Sequence, residues 1–213
     1  MKYRYFIFDI DGTLIDTERT GVLSLIDTVR ALLHREMPYE EAYPYFGVPS
    51  SKVGGMLGYR DPQEFLELWE ANFIKLSYMI RPFDGAAGVL SAVKDAGCGT
   101  GCVTSRNRFE FGKDEHLAAL LKYLDHSVCA EDCAAHKPAP EPLLKCISML
   151  EKTRGRKISP EECIYVGDTR NDCLCAHAAG CDFALADWRS RGLQGMDPEF
   201  LLSSVEEILT LLQ

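Results

Sequence analysis

The stretch Tyr5-Phe6-Ile7-Phe8-Asp9-Ile10-Asp11-Gly12-Thr13-Leu14-Ile15-Asp16 is an apolar run that stops abruptly on two carboxylates, a glycine and a hydroxyl. Its first half is aromatic and β-branched at successive positions. That is the pattern of a strand covered on both faces, and so of the central strand of a parallel sheet. Asp9 and Asp11 stand two residues apart, and where the chain is still extended their side chains project to the same side, so two acids are expected over one spot. Like charges at that range raise one another's pKa and call for a metal ion, a proton or both. Gly12 lets the chain turn sharply, and the Thr13 hydroxyl can tie the turn down. A calcium loop is excluded by spacing, since it needs its glycine at the sixth position and an acid at the twelfth.

After Asp16 the periodicity becomes helical, with Val22, Leu25, Ile26, Val29, Leu32 and Leu33 on one stripe. Weaker helical stretches follow around 39–45 and 50–57, and Asp61-Pro62-Gln63-Glu64 opens a stronger one carrying Phe65, Leu68, Trp69, Phe73 and Leu76. Residues 17–80 therefore read as an all-α insert between two linkers, Asp16-Thr17 and Arg81-Pro82-Phe83. From Pro82 onward helix and strand alternate, the signature of βαβ units in a doubly wound, Rossmann-like parallel sheet. Strands are expected at 99–103, 127–129, 163–166 and 183–185, one helix is expected to run to about residue 121, and Asp197-Pro198 is expected to open the last helix. The expected division is an α/β core of residues 1–16 and 81–213 and a helical domain of 17–80.

The 213 residues, 46% of them hydrophobic, suffice for a core plus a small insert. With 23 basic against 32 acidic side chains the net charge is -9, which opposes non-specific attraction to nucleic acid or an anionic membrane. An anionic small-molecule partner must then be attracted locally. No signal-peptide or membrane-spanning pattern stands in the chain, so the expected location is the cytoplasm. The nine cysteines are odd in number and lack any Cys-x-x-Cys, so they are expected as reduced core thiols.

Polar residues fall where the expected strands end, which in doubly wound sheets is where ligands bind. Thr104 and Ser105 offer a hydroxyl and backbone N–H groups at a helix start, a seat for a phosphate oxygen, although plain capping is the alternative; Arg106 follows directly. Lys137 lies in His136-Lys137-Pro138-Ala139-Pro140, a proline-stiffened turn. A lone lysine is ordinarily a solvated surface charge, but an ammonium suits a site where carboxylates and a dianion would otherwise repel. Asp168 and Asp172, in Val166-Gly167-Asp168-Thr169-Arg170-Asn171-Asp172, are candidate hard-oxygen ligands, the alternative being helix capping for Asp168 and a solvent-exposed first-turn acid for Asp172.

Asp9-Ile10-Asp11-Gly12-Thr13, Thr104 closing an apolar strand, Lys137 before a proline turn, and Gly167-Asp168-Thr169-Arg170-Asn171-Asp172 together resemble the four motifs of the haloacid dehalogenase-like superfamily, in order and spacing. The position of the insert, after the first motif, is similar to the subgroup of phosphoglycolate phosphatase and β-phosphoglucomutase. The resemblance implies a helical cap at 17–80 and a magnesium-dependent phosphohydrolase acting on a small phosphorylated metabolite. Asp9 would be the nucleophile that forms an aspartyl-phosphate, Asp11 the general acid/base, and Thr104 and Lys137 the groups that hold the phosphoryl oxygens. Magnesium would be held by Asp9, Asp11 through its carbonyl, Asp168 and Asp172. Thr13, Ser105, Arg106 and, from the cap, Gly47 and Lys52 would contact the substrate. A phosphomutase is the main alternative and a non-catalytic binding protein the next. Dehalogenase chemistry needs neither metal nor Asp11, and neither cap lysine, Lys52 or Lys75, stands where a Schiff base would be marked. Gly12-Thr13-Leu14 is the form usual in the phosphatases.

Overall fold

A computed structural model describes residues 2–213. In chain order the elements are β1 (Tyr5–Phe8), β2 (Ile15–Asp16), α1 (Glu18–Leu33), α2 (Tyr39–Ala42), α3 (Ser50–Met56), α4 (Pro62–Leu76), β3 (Arg81–Pro82) and α5 (Ala86–Asp95). They continue with β4 (Gly99–Val103), α6 (Arg108–Lys113), α7 (Glu115–Leu121), β5 (His126–Val128), α8 (Glu141–Arg154), β6 (Cys163–Gly167), α9 (Arg170–Ala179), β7 (Asp182–Ala186) and β8 (Phe200–Leu202). The chain divides into two compact units, residues 1–15 with 82–213 and residues 16–81, and the division falls inside the two-residue strands β2 and β3.

The larger unit is a six-stranded sheet in the order β5-β4-β1-β6-β7-β8. All its pairings are parallel, and β1 is an inner strand with every residue buried, as its unbroken apolar run requires. Registers decide what meets at the strand ends. Phe8 pairs with Cys102 on one side and Val166 on the other, and Val103 pairs with Val128. By that register Asp9 stands level with Val103 and Gly167, and Thr104 and Asp168 follow one residue further along, all at the carboxyl edge. The connection from β1 leads to β4 on one side, whereas β6 lies on the other, so the strand order reverses beside β1. Such a reversal opens the crevice in which open α/β sheets bind ligands. One face of the sheet packs on α8 and α9 through a cluster including Tyr5, Ile7, Leu143, Ile147, Leu150, Tyr165 and Phe183. All nine cysteines are buried free thiols, and burial pushes Cys146 and Cys175 up to about 12.

The smaller unit has its own core. Val22, Leu25, Val29, Ala42, Val53 and Phe65 are buried together, with Trp69 and Leu57 packed against them. Asp61 caps α4 by accepting from the backbone N–H groups of Gln63 and Glu64. Polar cross-links hold α1 to α4: the Trp69 indole donates to Ser24 Oγ at 2.8 Å, and Asn72 donates to Thr28 Oγ1 at 3.0 Å. Among the described residues no helix is long and apolar enough to cross a membrane.

Two stretches differ from the sequence reading. The helix expected to run unbroken to 121 is split at Asp114, whose extended backbone and carboxylate start a new helix by accepting from His116 and Leu117 N–H. Beyond Asp197-Pro198 the chain forms β8 and then a 3₁₀ helix, Val205–Leu212. A three-residue strand carries too little pattern to be read locally; its pairing with β7 creates it.

Candidate active site

β1 ends at Phe8, and the loop that follows is wound tightly around one atom: the carbonyl of Ile10 accepts N–H groups from Thr13, Leu14 and Ile15. Gly12 takes a left-handed conformation, φ 83°, and a Cβ there would lie 2.1 Å from Asp168 Oδ2. Glycine is thus required both by the turn and by the approach of Asp168. Thr13 donates to Asp168 Oδ1 at 3.3 Å, and the Trp188 indole donates to the Thr13 carbonyl at 3.0 Å, bracing the loop from the segment after β7.

Asp9 is almost fully buried, and its Oδ1 accepts a 2.7 Å bond from Lys137 Nζ. Lys137, also buried, gives a second 2.7 Å bond to Asp172 Oδ1. Asp172 is 0% exposed; its Oδ2 accepts from the Thr169 backbone and hydroxyl in a capping box at the start of α9. Carboxylate oxygens of Asp9, Asp168 and Asp172 lie within 4.8 Å of one another. Burial pushes the Asp9 carboxyl up to about 7 in spite of the Lys137 charge, and burial with the neighbouring acids holds Asp168 well above the usual carboxylate range. For Lys137 burial works against the ammonium, but Asp172 and Asp9 outweigh it and raise its pKa. Three carboxylates face one ammonium, and all the converging donors are hard oxygens. This donor set and its surplus negative charge fit magnesium.

Thr104 is buried at the end of β4, where its N–H binds the Val128 carbonyl and its hydroxyl accepts from Arg106 N–H at 3.1 Å. Ser105 follows, half-buried. Gly47 and Lys52 belong to the helical unit: Gly47 sits at a left-handed turn, φ 81°, before α3, and Lys52 is exposed in the first turn of α3.

Asp11 departs from the expected pairing. The strand is over by Phe8, so the two-residue alternation no longer holds, and the Asp11 carboxylate lies in the fork of Arg106 rather than in the cluster with Asp9, Asp168 and Asp172. Asp11 is still near enough to help raise the Asp9 pKa. Two participants escaped the sequence reading. Tyr165, in the middle of β6, has its hydroxyl 2.9 Å from Asp172 Oδ1, 3.2 Å from the Val103 carbonyl and 3.3 Å from Lys137 Nζ. The signal was a phenol in an otherwise apolar strand, where a buried hydroxyl must find partners. Asp114, the second partner of Arg106 at 2.8 Å, carried no local signal.

The fold and site define the class as doubly wound, Rossmann-like α/β proteins with an acidic, lysine-neutralised centre at the strand ends. The model of the family described as haloacid dehalogenase-like hydrolase matches residues 6–186, and the chain belongs to that family. It is accordingly a hydrolase. The putative pyrophosphatase PpaX of Caldanaerobacter subterraneus subsp. tengcongensis is 29% identical over 223 residues, covering 100% of this chain and 96% of the relative. The putative phosphoglycolate phosphatase of Lactobacillus plantarum superposes with a TM-score of 0.86 at 22% identity, covering 99% of this chain and 100% of the other. CbbY of Rhodobacter sphaeroides, solved in complex with phosphate, superposes with a TM-score of 0.78 at 19% identity, covering 97% and 96%. At these identities the two structures establish the shared fold.

Proposed function

We propose that the protein is a magnesium-dependent phosphohydrolase that transfers the phosphoryl group of a small phosphorylated metabolite to Asp9 and then to water. The observation that carries this reading is the buried carboxylate of Asp9, ion-paired to Lys137 beside Asp168 and Asp172 at the end of the central strand. Lys137 opposes the rise that burial imposes on the nucleophile's pKa and offers its charge to the arriving dianion. The free Asp9 oxygen attacks phosphorus in line with the leaving oxygen; the P–O bond breaks and the aspartyl-phosphate forms. Asp11 delivers a proton to the leaving oxygen, then takes one from the water that attacks the phosphoenzyme. The Thr104 hydroxyl and the N–H groups after it bind the phosphoryl oxygens. Asp9, Asp168, Asp172 and the Asp11 carbonyl would hold magnesium, which when bound supplies positive charge to the phosphoryl oxygens.

The relatives' names point to pyrophosphate or phosphoglycolate as substrates. Residues 17–80 act in this reading as the cap that excludes water during turnover, with Gly47 and Lys52 contacting the substrate beside Thr13, Ser105 and Arg106. A small-molecule partner, rather than nucleic acid or an anionic membrane, fits the net charge of -9. A panel of phosphorylated metabolites assayed with magnesium in oxygen-18 water tests the proposal. One labelled oxygen is expected in each released phosphate. Interconversion of sugar phosphates with negligible phosphate release would identify a mutase instead, and no turnover of any kind a binding protein.

A further inference from the structure

We propose that Arg106 reads the leaving side of the substrate, selecting compounds whose departing group carries a second anionic charge close to the scissile oxygen. This deepens the phosphohydrolase reading and rests on it.

The Arg106 side chain is 9% exposed and is wedged between two carboxylates. Its Nε and Nη2 grip Asp11 at 2.9 and 2.7 Å, and its Nη1 binds Asp114 at 2.8 Å. Burial works against the guanidinium, but Asp11 and Asp114 outweigh it and hold it firmly charged. The two partners differ in kind. Asp114 is fixed, because its other oxygen accepts two N–H groups at the start of α7. Asp11 is the group that must serve the leaving oxygen, so whatever is attached to that oxygen comes within reach of the same guanidinium.

Charge decides which substrates gain from this. Asp9, Asp168 and Asp172 gather at the centre, with Asp11 and Asp114 on Arg106, and Lys137 is taken up by Asp9 and Asp172 on the nucleophile side. On the Asp11 side stands Arg106. A neutral alcohol meeting it offers nothing to offset disturbance of the Arg106–Asp11 pair. A carboxylate or phosphate on the leaving group matches the fork as the Asp11 carboxylate does, and can take it over bidentately. That exchange frees Asp11 toward the leaving oxygen, so the anion both binds and prepares the site. Asp114 keeps the guanidinium in place throughout.

The test compares 2-phosphoglycolate with ethyl phosphate, in which a methyl replaces the carboxylate, and adds inorganic pyrophosphate, all with magnesium. Wild-type kcat/KM should favour phosphoglycolate over ethyl phosphate by about tenfold or more, the scale of a charge-assisted hydrogen bond. In Arg106→Met the ratio should fall by about 10- to 100-fold, whatever loss is common to both substrates. Arg106→Lys, which keeps the charge and loses the fork, should recover part of the ratio. A wild-type ratio near one overturns the proposal without any variant, which covers the case in which Arg106→Met fails to fold. An unchanged ratio in a folded Arg106→Met overturns it as well, while leaving the phosphohydrolase reading intact. Failure of the wild type to hydrolyse these three overturns this proposal, and failure on the whole panel of phosphorylated metabolites removes the phosphohydrolase reading as well.

Discussion

Replacing Lys137 by Met keeps the length of the apolar stem and removes the ammonium from a site where its side chain is 4% exposed, between Asp9 at 5% and Asp172 at 0%. Both carboxylates then lose a 2.7 Å partner in a region closed to water. Breaking a buried ion pair by removing one member costs about 3–5 kcal/mol, chiefly because the remaining charge is left uncompensated. A packing loss of the same size would not depend on pH; this one should. Asp9 already has its carboxyl raised to about 7 by burial, against about 4 for an exposed aspartate. With the folded pKa raised, the native state holds a proton that the unfolded chain has released. Stability is therefore unaffected below about pH 4, falls as pH rises from there through the folded pKa, and levels off above it. Loss of Lys137 removes the influence that lowers the Asp9 pKa and extends this decline beyond pH 7. Urea denaturation at pH 5.5 and 8.0 should give a destabilisation of about 3–5 kcal/mol at pH 8.0, smaller by one or more kcal/mol at pH 5.5. Equal losses at the two pH values, or a loss under about 1 kcal/mol at pH 8.0, would refute the reasoning.

Asp9→Asn should lower turnover by at least about a thousandfold with the circular dichroism spectrum unchanged, since the amide is nearly isosteric but cannot act as the nucleophile; a variant free of contaminating phosphatase that kept a tenth of the rate would contradict the role of Asp9. Gly12→Ala puts a Cβ 2.1 Å from Asp168 Oδ2 at a residue with φ 83°. It should cost about 1–2 kcal/mol from the backbone alone and weaken magnesium binding by calorimetry, and an unchanged magnesium affinity would mean that Asp168 does not need that approach. Tyr165→Phe removes the hydroxyl shared by Asp172, Val103 and Lys137. A loss of about 1–3 kcal/mol in thermal or urea unfolding is expected, and a neutral effect would show that the hydroxyl is dispensable.

The periodic part of this molecule was legible from its residues. Strands buried on both faces write themselves as short apolar runs, so β1, β4, β6 and β7 were readable, as were α1 and α4 from their stripes and the Asp61 cap. The polar residues that close those strands could be located for the same reason, which is why Asp9, Thr104 and Asp168 could be named from sequence, whereas Lys137 was marked by its proline-stiffened turn. Tertiary structure decided which of them touch. Lys137 reaches Asp9 across 128 positions and Arg106 reaches Asp11 across 95, and no local pattern encodes such pairings. Alternation of side chains holds only while backbone is extended, and the turn around the Ile10 carbonyl ends it before Asp11. The Asp11 carboxylate therefore follows Arg106, a partner that β1–β4 pairing brings alongside. Residues 200–202 become a strand because β7 offers an open edge, and the hydrogen bonds that define it belong to the neighbour as much as to the segment.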